Sequence, residues 1–337
     1  MTPISSSKSA PKLMYTNTPY HLETPTPGDR NSLSLLYRLF YAFKPAIPRY
    51  IQLFLRRKIV MHKRAKYAHV WPIDESAGHP PLTWRGWPDN KKFAFVLMHD
   101  VDTQAGHDKC RYLMDLEEKL GFRSTFNFVA ERYRISPSLL DEIKARGFGL
   151  GVHGLKHDGK LFSSRELFLQ RAEKINQYLS AWGTRGFSSP SMLRNFKWML
   201  DLNIDYGTSS FDTDPFEPQP DGIKKIFPFW VNGAHTQKAY LELPYTMPQD
   251  FTLFVLMKEK DTRIWESKLN WIASKGGMVM MLTHPDYMNY NCLKSLPEEY
   301  SARFYAGFLK WVKAEYRKDY WHVLTAQVAE FYRQQKE

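Results

Sequence analysis

The sequence predicts an α/β protein built on a distorted parallel (β/α) barrel, with a basic helical arm at the N-terminus. Continuous apolar runs at residues 93–98 and 277–282 are typical of strands buried on both faces of a parallel sheet. Such runs alternate with amphipathic stretches of helical length, which favours repeated βα units. Reactive side chains follow several of the runs, and chemistry in these barrels collects at the carboxyl ends of the strands.

The elements follow one another with little interruption from residue 93 onward. Strands are predicted at 93–98, 124–129, 150–152, 186–188, near 225–230, at 240–244 and at 277–282. Helices are predicted at 108–120, 137–146, 164–180, 194–202, 262–274, near 298–316 and at 324–334. No G-x-G-x-x-G opens a helix after the first strand, so a dinucleotide-binding fold has no support.

The basic charge is concentrated before the predicted barrel. Of the net charge of +12, residues 1–70 carry +10, from 12 Lys and Arg against two acids. We expect a flexible tail over residues 1–30, an arm and linker over 31–89, and the catalytic domain over 90–337. Residues 31–66 are predicted to form two amphipathic helical stretches separated by Pro45 and Pro48.

Two interpretations of residues 31–66 remain open. A basic amphipathic helix can dock on an anionic membrane surface, and it can equally pack on the main domain with its charges in solvent. Nucleic acid is not expected as a partner, because no basic patch continues into the barrel. The start of the chain has no apolar signal segment, and Cys110 and Cys292 are the only cysteines. We therefore expect a cytoplasmic protein, with the arm able to reach the inner face of the membrane.

Three short motifs supply the residues of a hydrolytic metal site. Asp100 and Asp102 are two apart, so on an extended strand both point the same way. His153 and His157 are four apart after the strand at 150–152, and His284 follows the last apolar run. Two His and one Asp make a three-ligand site with open positions, as in catalytic zinc centres. A second Asp and a further His remain to move protons.

Structural roles are the alternatives to this chemistry. One aspartate can cap the helix predicted near residue 108, and His284 can be a buried histidine satisfied by backbone. His99 should face away from Asp100 and serve packing, and Asp158 is a candidate to orient His157. The acidic, Pro-rich stretch at 212–222 is either a cover for the site or a rigid connector.

Over residues 90–290 these motifs, in this order, resemble the polysaccharide deacetylases of carbohydrate esterase family 4. The resemblance implies a distorted barrel of about seven strands that removes acetyl groups from sugars with a divalent metal. It implies Asp100 as the base and Asp102, His153 and His157 as metal ligands. It further implies His284 as general acid, Leu282 as a wall of the acetyl pocket, and the Ser191 amide as an oxyanion donor. Zinc is the expected metal, with nickel, cobalt, iron or manganese able to use the same ligands.

The sequence departs from the family pattern in its first motif, where D-x-D replaces the more usual adjacent aspartates, and at three further positions. Ser188 stands where the family has the Arg of its third motif, and Gly207 stands where the fourth motif has Asp. Gly149 stands where Glu is common, and Arg185, Arg194 or Asp205 could compensate. Joint loss of an Arg and an Asp avoids an unpaired buried charge. We expect turnover to rise if Ser188→Arg and Gly207→Asp are introduced together.

The function implied is metal-dependent removal of N-acetyl groups from a sugar or glycan precursor. Two alternatives remain. One is a C–N hydrolase acting on a non-sugar amide on the same scaffold. The other is a carbohydrate-binding or assembly protein that keeps the barrel but has lost turnover, for which the changes at Ser188 and Gly207 are the main support.

Overall fold

The structure is a computed structural model that describes residues 48–232, 238–291 and 296–335. The tail at 1–30 and the first predicted arm helix therefore lie outside the described residues. The second arm helix is present as α1, Arg49–Lys66. Its buried Leu53 and Val60 join the main hydrophobic core, and it packs against the π-helical segment Phe251–Met257. One face of this helix therefore packs on the main domain.

From residue 93 the chain alternates between strands and helices. The elements are β1 (Phe93–Val101), α2 (Gln104–Leu120), β2 (Thr125–Phe128), α3 (Pro137–Ala145), β3 (Gly149–Val152), α4 (Arg165–Ala181), β4 (Gly186–Phe187), α5 (Phe196–Met199), β5 (Tyr206–Gly207), β6 (Phe229–Asn232), β7 (Ala239–Glu242), α6 (Arg263–Lys275), β8 (Met278–Thr283), β9 (Met288–Asn289), β10 (Tyr300–Ser301), α7 (Arg303–Tyr316), β11 (Tyr320–His322) and α8 (Thr325–Gln334). Most predicted elements are present within a few residues. The π-helical segment and the short strands β5, β9, β10 and β11 were not predicted.

The main sheet has nine strands in the order β11-β1-β2-β3-β4-β5-β7-β6, with β8 paired to β1. All of its pairs are parallel except β6 with β7, so eight strands form a curled parallel half-barrel. The segment after β7 closes toward β8, because the Thr246 amide donates to the Met280 carbonyl at 3.0 Å. The predicted barrel class is confirmed.

Strand alternation decides which side chains enter the barrel. On β1, Ala94, Val96 and Met98 belong to the inner core, whereas Phe93, Phe95 and Leu97 belong to the outer core under the helices. Because side chains alternate along a strand, Asp100 and Asp102 continue the inner row. On β8, Met278, Met280 and Leu282 are inner residues, so His284 continues that row as well.

His99 lies on the outer side of β1, as expected. Its Nε2 is 2.8 Å from Glu117 Oε1 on α2, and its Nδ1 is 2.8 Å from Thr283 Oγ1. Ser124 and Tyr305 donate hydroxyl hydrogen bonds to the same fully buried Glu117 carboxylate. A buried polar group is tolerated when it is hydrogen-bonded in this way. The network therefore connects β1 to α2 next to Asp100.

Candidate metal and hydrolytic site

Asp102, His153 and His157 come together at the carboxyl ends of β1 and β3. Asp102 Oδ1 lies 3.5 Å from His153 Nε2 and 3.2 Å from His157 Nε2. One ligand atom of each residue falls within 4.8 Å of the others, the only such group of metal-ligating side chains in the part of the chain described. Three nitrogen and oxygen donors at this spacing can hold one divalent cation and leave positions open for water and substrate.

The donor chemistry of these three residues fits a cation. His153 Nδ1 donates to the Ser188 carbonyl oxygen at 3.1 Å, which leaves Nε2 as the lone-pair donor. Asp102 Oδ1 is buried and has no hydrogen-bond partner among the residues described. Burial alone would raise the pKa of Asp102, but the adjacent His157 and His153 hold it well below its usual range, so the carboxylate is charged. A buried, charged and unsatisfied oxygen between two imidazoles is what a bound cation would neutralise.

Glycine makes the His153 loop possible. Gly154 has φ +63°, and a Cβ there would lie 2.8 Å from Pro190 Cγ. The loop that follows His153 is therefore packed directly on the turn that carries Ser191.

Asp158 does not take the predicted role beside His157. Its two oxygens accept from Arg171 at 2.8 and 2.7 Å, because that guanidinium offers a paired hydrogen bond.

Asp100 is buried and held by two neutral donors. Its Oδ1 accepts from Asn127 Nδ2 at 2.8 Å, and its Oδ2 accepts from Ser188 Oγ at 3.2 Å. The register Asp100–Asn127–Gly151 across β1, β2 and β3 makes this possible, since a Cβ on Gly151 would come within 2.1 Å of Asn127 Oδ1. Ser188 thus keeps a donor on Asp100 but supplies no charge.

The space beside Gly207 is filled by another acid. A Cβ on Gly207 would lie 2.4 Å from Glu242 Oε2, on the neighbouring strand β7. Glu242 is fully buried and its Oε1 accepts from the Ser209 amide and Ser210 Oγ, each at 2.7 Å. Burial raises the pKa of Glu242 to about 7, although the charge of Arg194 opposes the shift. Glu242 was missed from the sequence, where its signal is one acid inside the apolar run 239–247.

The three residues expected to compensate lie elsewhere. Arg185 pairs with Asp205 at 3.3 Å at the surface. Arg194 is buried over the ring of Phe211, 5.1 Å from its centroid, and donates to the Met192 carbonyl. None of the three forms a hydrogen bond with Asp100 within the described ranges, where Asn127 and Ser188 are its donors.

His284 is buried and paired with an acid that the sequence analysis did not assign. Its Nδ1 is 2.8 Å from Asp250 Oδ1, and its amide donates to Asp250 Oδ2 at 2.9 Å. The Tyr300 hydroxyl donates to the same Oδ2 at 3.0 Å. Burial would lower the pKa of His284, but Asp250, Asp102 and Asp100 together raise it to about 10. The imidazole is therefore a protonated donor at neutral pH. The charges of Asp100 and Asp102 contribute to its raised pKa.

Asp286 joins the two strand ends that carry these groups. Its Oδ2 accepts from the Asp102 amide at 3.0 Å and its Oδ1 from Thr103 Oγ1 at 2.5 Å. Gly106, in the first turn of α2, permits this approach, since a Cβ there would lie 2.2 Å from Asp286 Oδ2. The residues that follow β1 are thus hydrogen-bonded to the segment that follows His284.

Ser191 and Leu282, the two expected substrate contacts, lie in the turn Pro190–Met192 and on β8. Ser191 lies in the turn Pro190–Met192 with φ +59°, and its amide donates to no acceptor among the described residues. Leu282 is buried in the inner core, on β8 opposite Met98 of β1. A free amide and an apolar wall suit an oxyanion and a methyl group, respectively.

The 212–222 loop is anchored rather than free. Asp212 is paired with the buried Lys268 Nζ at 2.5 Å, Asp214 accepts from the Tyr245 hydroxyl at 2.9 Å, and Glu217 accepts from Gln249 Nε2 at 2.5 Å. These contacts favour the connector interpretation over a movable cover.

Comparison with known proteins supports the fold. Neither a protein-family model nor a curated protein matches the sequence. Among solved structures, a protein assigned to the polysaccharide deacetylases of Mycobacterium smegmatis is 16% identical with a TM-score of 0.56, and the match covers 76% of this chain and 96% of that one.

Two further structures are similar to the same degree. One is assigned to the polysaccharide deacetylases of Pseudomonas aeruginosa PAO1, at 12% identity and a TM-score of 0.55 over 78% of this chain and 98% of that one. The other, described as Puue allantoinase, is 13% identical with a TM-score of 0.55 over the same shares. The resemblance to polysaccharide deacetylases thus holds at the level of the fold, which is shared with an allantoinase.

Proposed function

We propose that this chain is a metal-dependent hydrolase that removes N-acetyl groups from a sugar or glycan precursor. The observation that carries the proposal is one site with three distinct parts. These are the Asp102, His153 and His157 donor group, the separate carboxylate of Asp100, and the protonated His284. Amide hydrolysis needs all three, namely activation of water, stabilisation of the oxyanion, and protonation of the leaving amine.

A divalent cation held by Asp102, His153 and His157 would polarise the carbonyl and lower the pKa of water, and zinc suits this donor set best. Asp100, which Asn127 and Ser188 hold in position, then takes the proton from the attacking water. The Ser191 amide donates to the developing oxyanion, and Leu282 borders the methyl group. His284 gives its Nε2 proton to the departing amine, while Asp250 holds Nδ1.

The test is acetate release from a panel of N-acetylated sugars, using protein stripped of metal and then reloaded with zinc. Zinc-dependent release that is lost in Asp100→Asn, with zinc still bound stoichiometrically, is the expected result. Asp141→Asn, the same change at an exposed position on α3, is the matched control and should keep full activity. Undiminished release by Asp100→Asn would refute the assignment of Asp100 as the base.

A second candidate is hydrolysis of a non-sugar amide or cyclic ureide. It is favoured by the similarity to Puue allantoinase, which is as strong as that to the deacetylases. Zinc-dependent ammonia or ureide products without acetate would support it. Glycan binding without any hydrolysis would instead favour the weakened binding protein, for which the uncharged Ser188 contact to Asp100 is the structural support.

A further inference from the structure

Helix α1 has one face against the barrel and one face in solvent. Leu53 is fully buried and Val60 is 5% exposed, and Arg57 Nε donates to the Val255 carbonyl at 3.1 Å. Arg64 adds an ion pair to Glu259 and Lys63 donates to the Pro215 carbonyl at 2.7 Å. The packed face is therefore fixed to the barrel by both apolar and polar contacts.

The solvent face of α1 is unusually apolar. Nine large hydrophobic side chains are exposed among the described residues, and five of them lie on this one helix. They are Tyr50 (66%), Phe54 (56%), Leu55 (39%), Ile59 (47%) and Met61 (46%). A concentrated apolar surface of this kind marks an interaction site rather than ordinary surface variation.

The same face is positively charged. The helix contains seven Lys and Arg and no Asp or Glu. Lys58 and Lys66 are exposed on the solvent face, and the Lys58 ammonium lies 5.6 Å from the centre of the Phe54 ring. Basic side chains that flank exposed aromatic and aliphatic residues are arranged to meet a surface that is apolar within and negative at its boundary.

We propose that this solvent face of α1, formed by Tyr50, Phe54, Leu55, Lys58, Ile59, Met61 and Lys66, docks on an anionic lipid surface. Charge complementarity selects this occupant. A second copy docked on the same face would bring two α1 helices together, each with seven Lys and Arg and no Asp or Glu, which is repulsive. The preceding residues 31–44 are also basic, through Arg38 and Lys44. A bilayer with anionic headgroups accepts both the apolar and the basic part of the face.

Helix α1 is a neighbour of the candidate site through its packed face. The Arg56 guanidinium lies 4.8 Å from the centre of the Phe251 ring, Phe251 contacts Tyr287 at 4.6 Å, and Tyr287 contacts His284 at 5.3 Å between ring centres. If the proposed function is correct, a glycan attached to a membrane lipid is the substrate class that this arrangement favours. The docking itself does not depend on turnover.

The experiment is co-sedimentation of the full chain with vesicles of phosphatidylcholine alone and with about one third phosphatidylglycerol, at low and high salt. We expect the partition coefficient to be at least about tenfold higher on the anionic vesicles and to fall with salt. Phe54→Ser with Ile59→Ser should lower it at least about tenfold. Lys58→Glu with Lys66→Glu should lower it about 25-fold or more, at about fivefold per lost cation.

Matched variants separate this face from the rest of the surface. Leu82→Ser with Leu169→Ser changes two exposed leucines elsewhere, and Lys119→Glu with Lys310→Glu changes two exposed lysines elsewhere. The leucine control should bind to vesicles like the unchanged protein. The lysine control should lose less vesicle binding than Lys58→Glu with Lys66→Glu. Equal binding to both vesicle types, or equal loss in the controls, would overturn the proposal.

Two other occupants would give different results. A monomer–dimer equilibrium abolished by Phe54→Ser with Ile59→Ser, without vesicle binding, would assign the face to a second copy. A photo-crosslinker at position 58 that reacts only with residues 1–47 would assign it to this chain's own N-terminal segment. Either result contradicts lipid docking. Because none of these measurements uses activity, a failure here is distinct from a failure of the proposed hydrolase.

Discussion

The pairing of His284 with Asp250 makes a quantitative prediction for Asp250→Asn. Asp250 is fully buried and contacts His284 twice, at 2.8 and 2.9 Å. It is the largest contributor that raises the pKa of His284 to about 10, against burial that would lower it. In Asp250→Asn burial acts with less opposition, so we expect this pKa to fall to about 6.5 or below.

Stability and activity should both follow this change. In the unchanged protein the folded-state pKa of His284 is raised. Its contribution to the free energy of unfolding is therefore complete below about pH 6.5 and is lost as pH rises toward 10. It amounts to at most about 5 kcal/mol, from about 3.5 pKa units at 1.36 kcal/mol each. The stability difference between the two proteins should shrink across that range. At pH 8 the protonated fraction of His284 would drop to about 3% or less, so turnover should fall at least about 30-fold.

The assay is an NMR titration of the His284 imidazole in metal-free protein, together with urea unfolding at pH 6 and pH 9.5. Tyr300→Phe is the control, because it removes a neutral donor at 3.0 Å from the same carboxylate and keeps the charge. Its His284 should still titrate near 10. A His284 pKa that stays near 10 in Asp250→Asn would refute the reasoning.

Two further variants test buried contacts around the site. Glu242 has a pKa raised by burial to about 7, so its native form holds a proton that the unfolded chain loses, and stability should fall by up to about 3 kcal/mol as pH rises from 4.5 to 7. In Glu242→Gln we expect urea unfolding to show a fall smaller by that amount, because other buried acids such as Asp212 and Asp214 also have raised pKa values; an unchanged slope would contradict the assignment. Gly106→Ala should destabilise by about 1–3 kcal/mol, because its Cβ would meet Asp286 Oδ2 at 2.2 Å. Gly307→Ala, also helical but with open space, should instead stabilise by up to about 1 kcal/mol in thermal or urea unfolding; equal effects of the two would count against the close contact.

The parts of the site that the sequence could predict are those set by strand periodicity. Asp100 and Asp102 share a face because they are two apart on β1, and His284 continues the inner row of β8. Each follows an apolar run, and parallel strands bring such ends to one edge. The same reasoning placed His99 on the outer side, where Glu117 holds it.

The partners of these residues could not be predicted, because they depend on sheet order and on loops. Asp250 is 34 residues from His284, and Asp286 is 184 residues from Asp102. Glu242 reaches Gly207 only because β7 pairs with β5, although β6 intervenes in sequence. Asp158 shows the reverse error, since proximity in sequence to His157 did not make it a partner.

The contact of Asp286 with Asp102 has a consequence for local unfolding. Asp286 follows His284 by two residues and accepts a hydrogen bond from the Asp102 amide, so opening the end of β8 that carries His284 also removes the partner of the Asp102 amide. Amide hydrogens at residues 102 and 284 should therefore exchange as one cooperative unit, with similar protection and a similar response to denaturant. The carboxylate that would hold the cation and the imidazole that would donate the proton would then be lost together, and intermediate states with half a site would be scarcely populated.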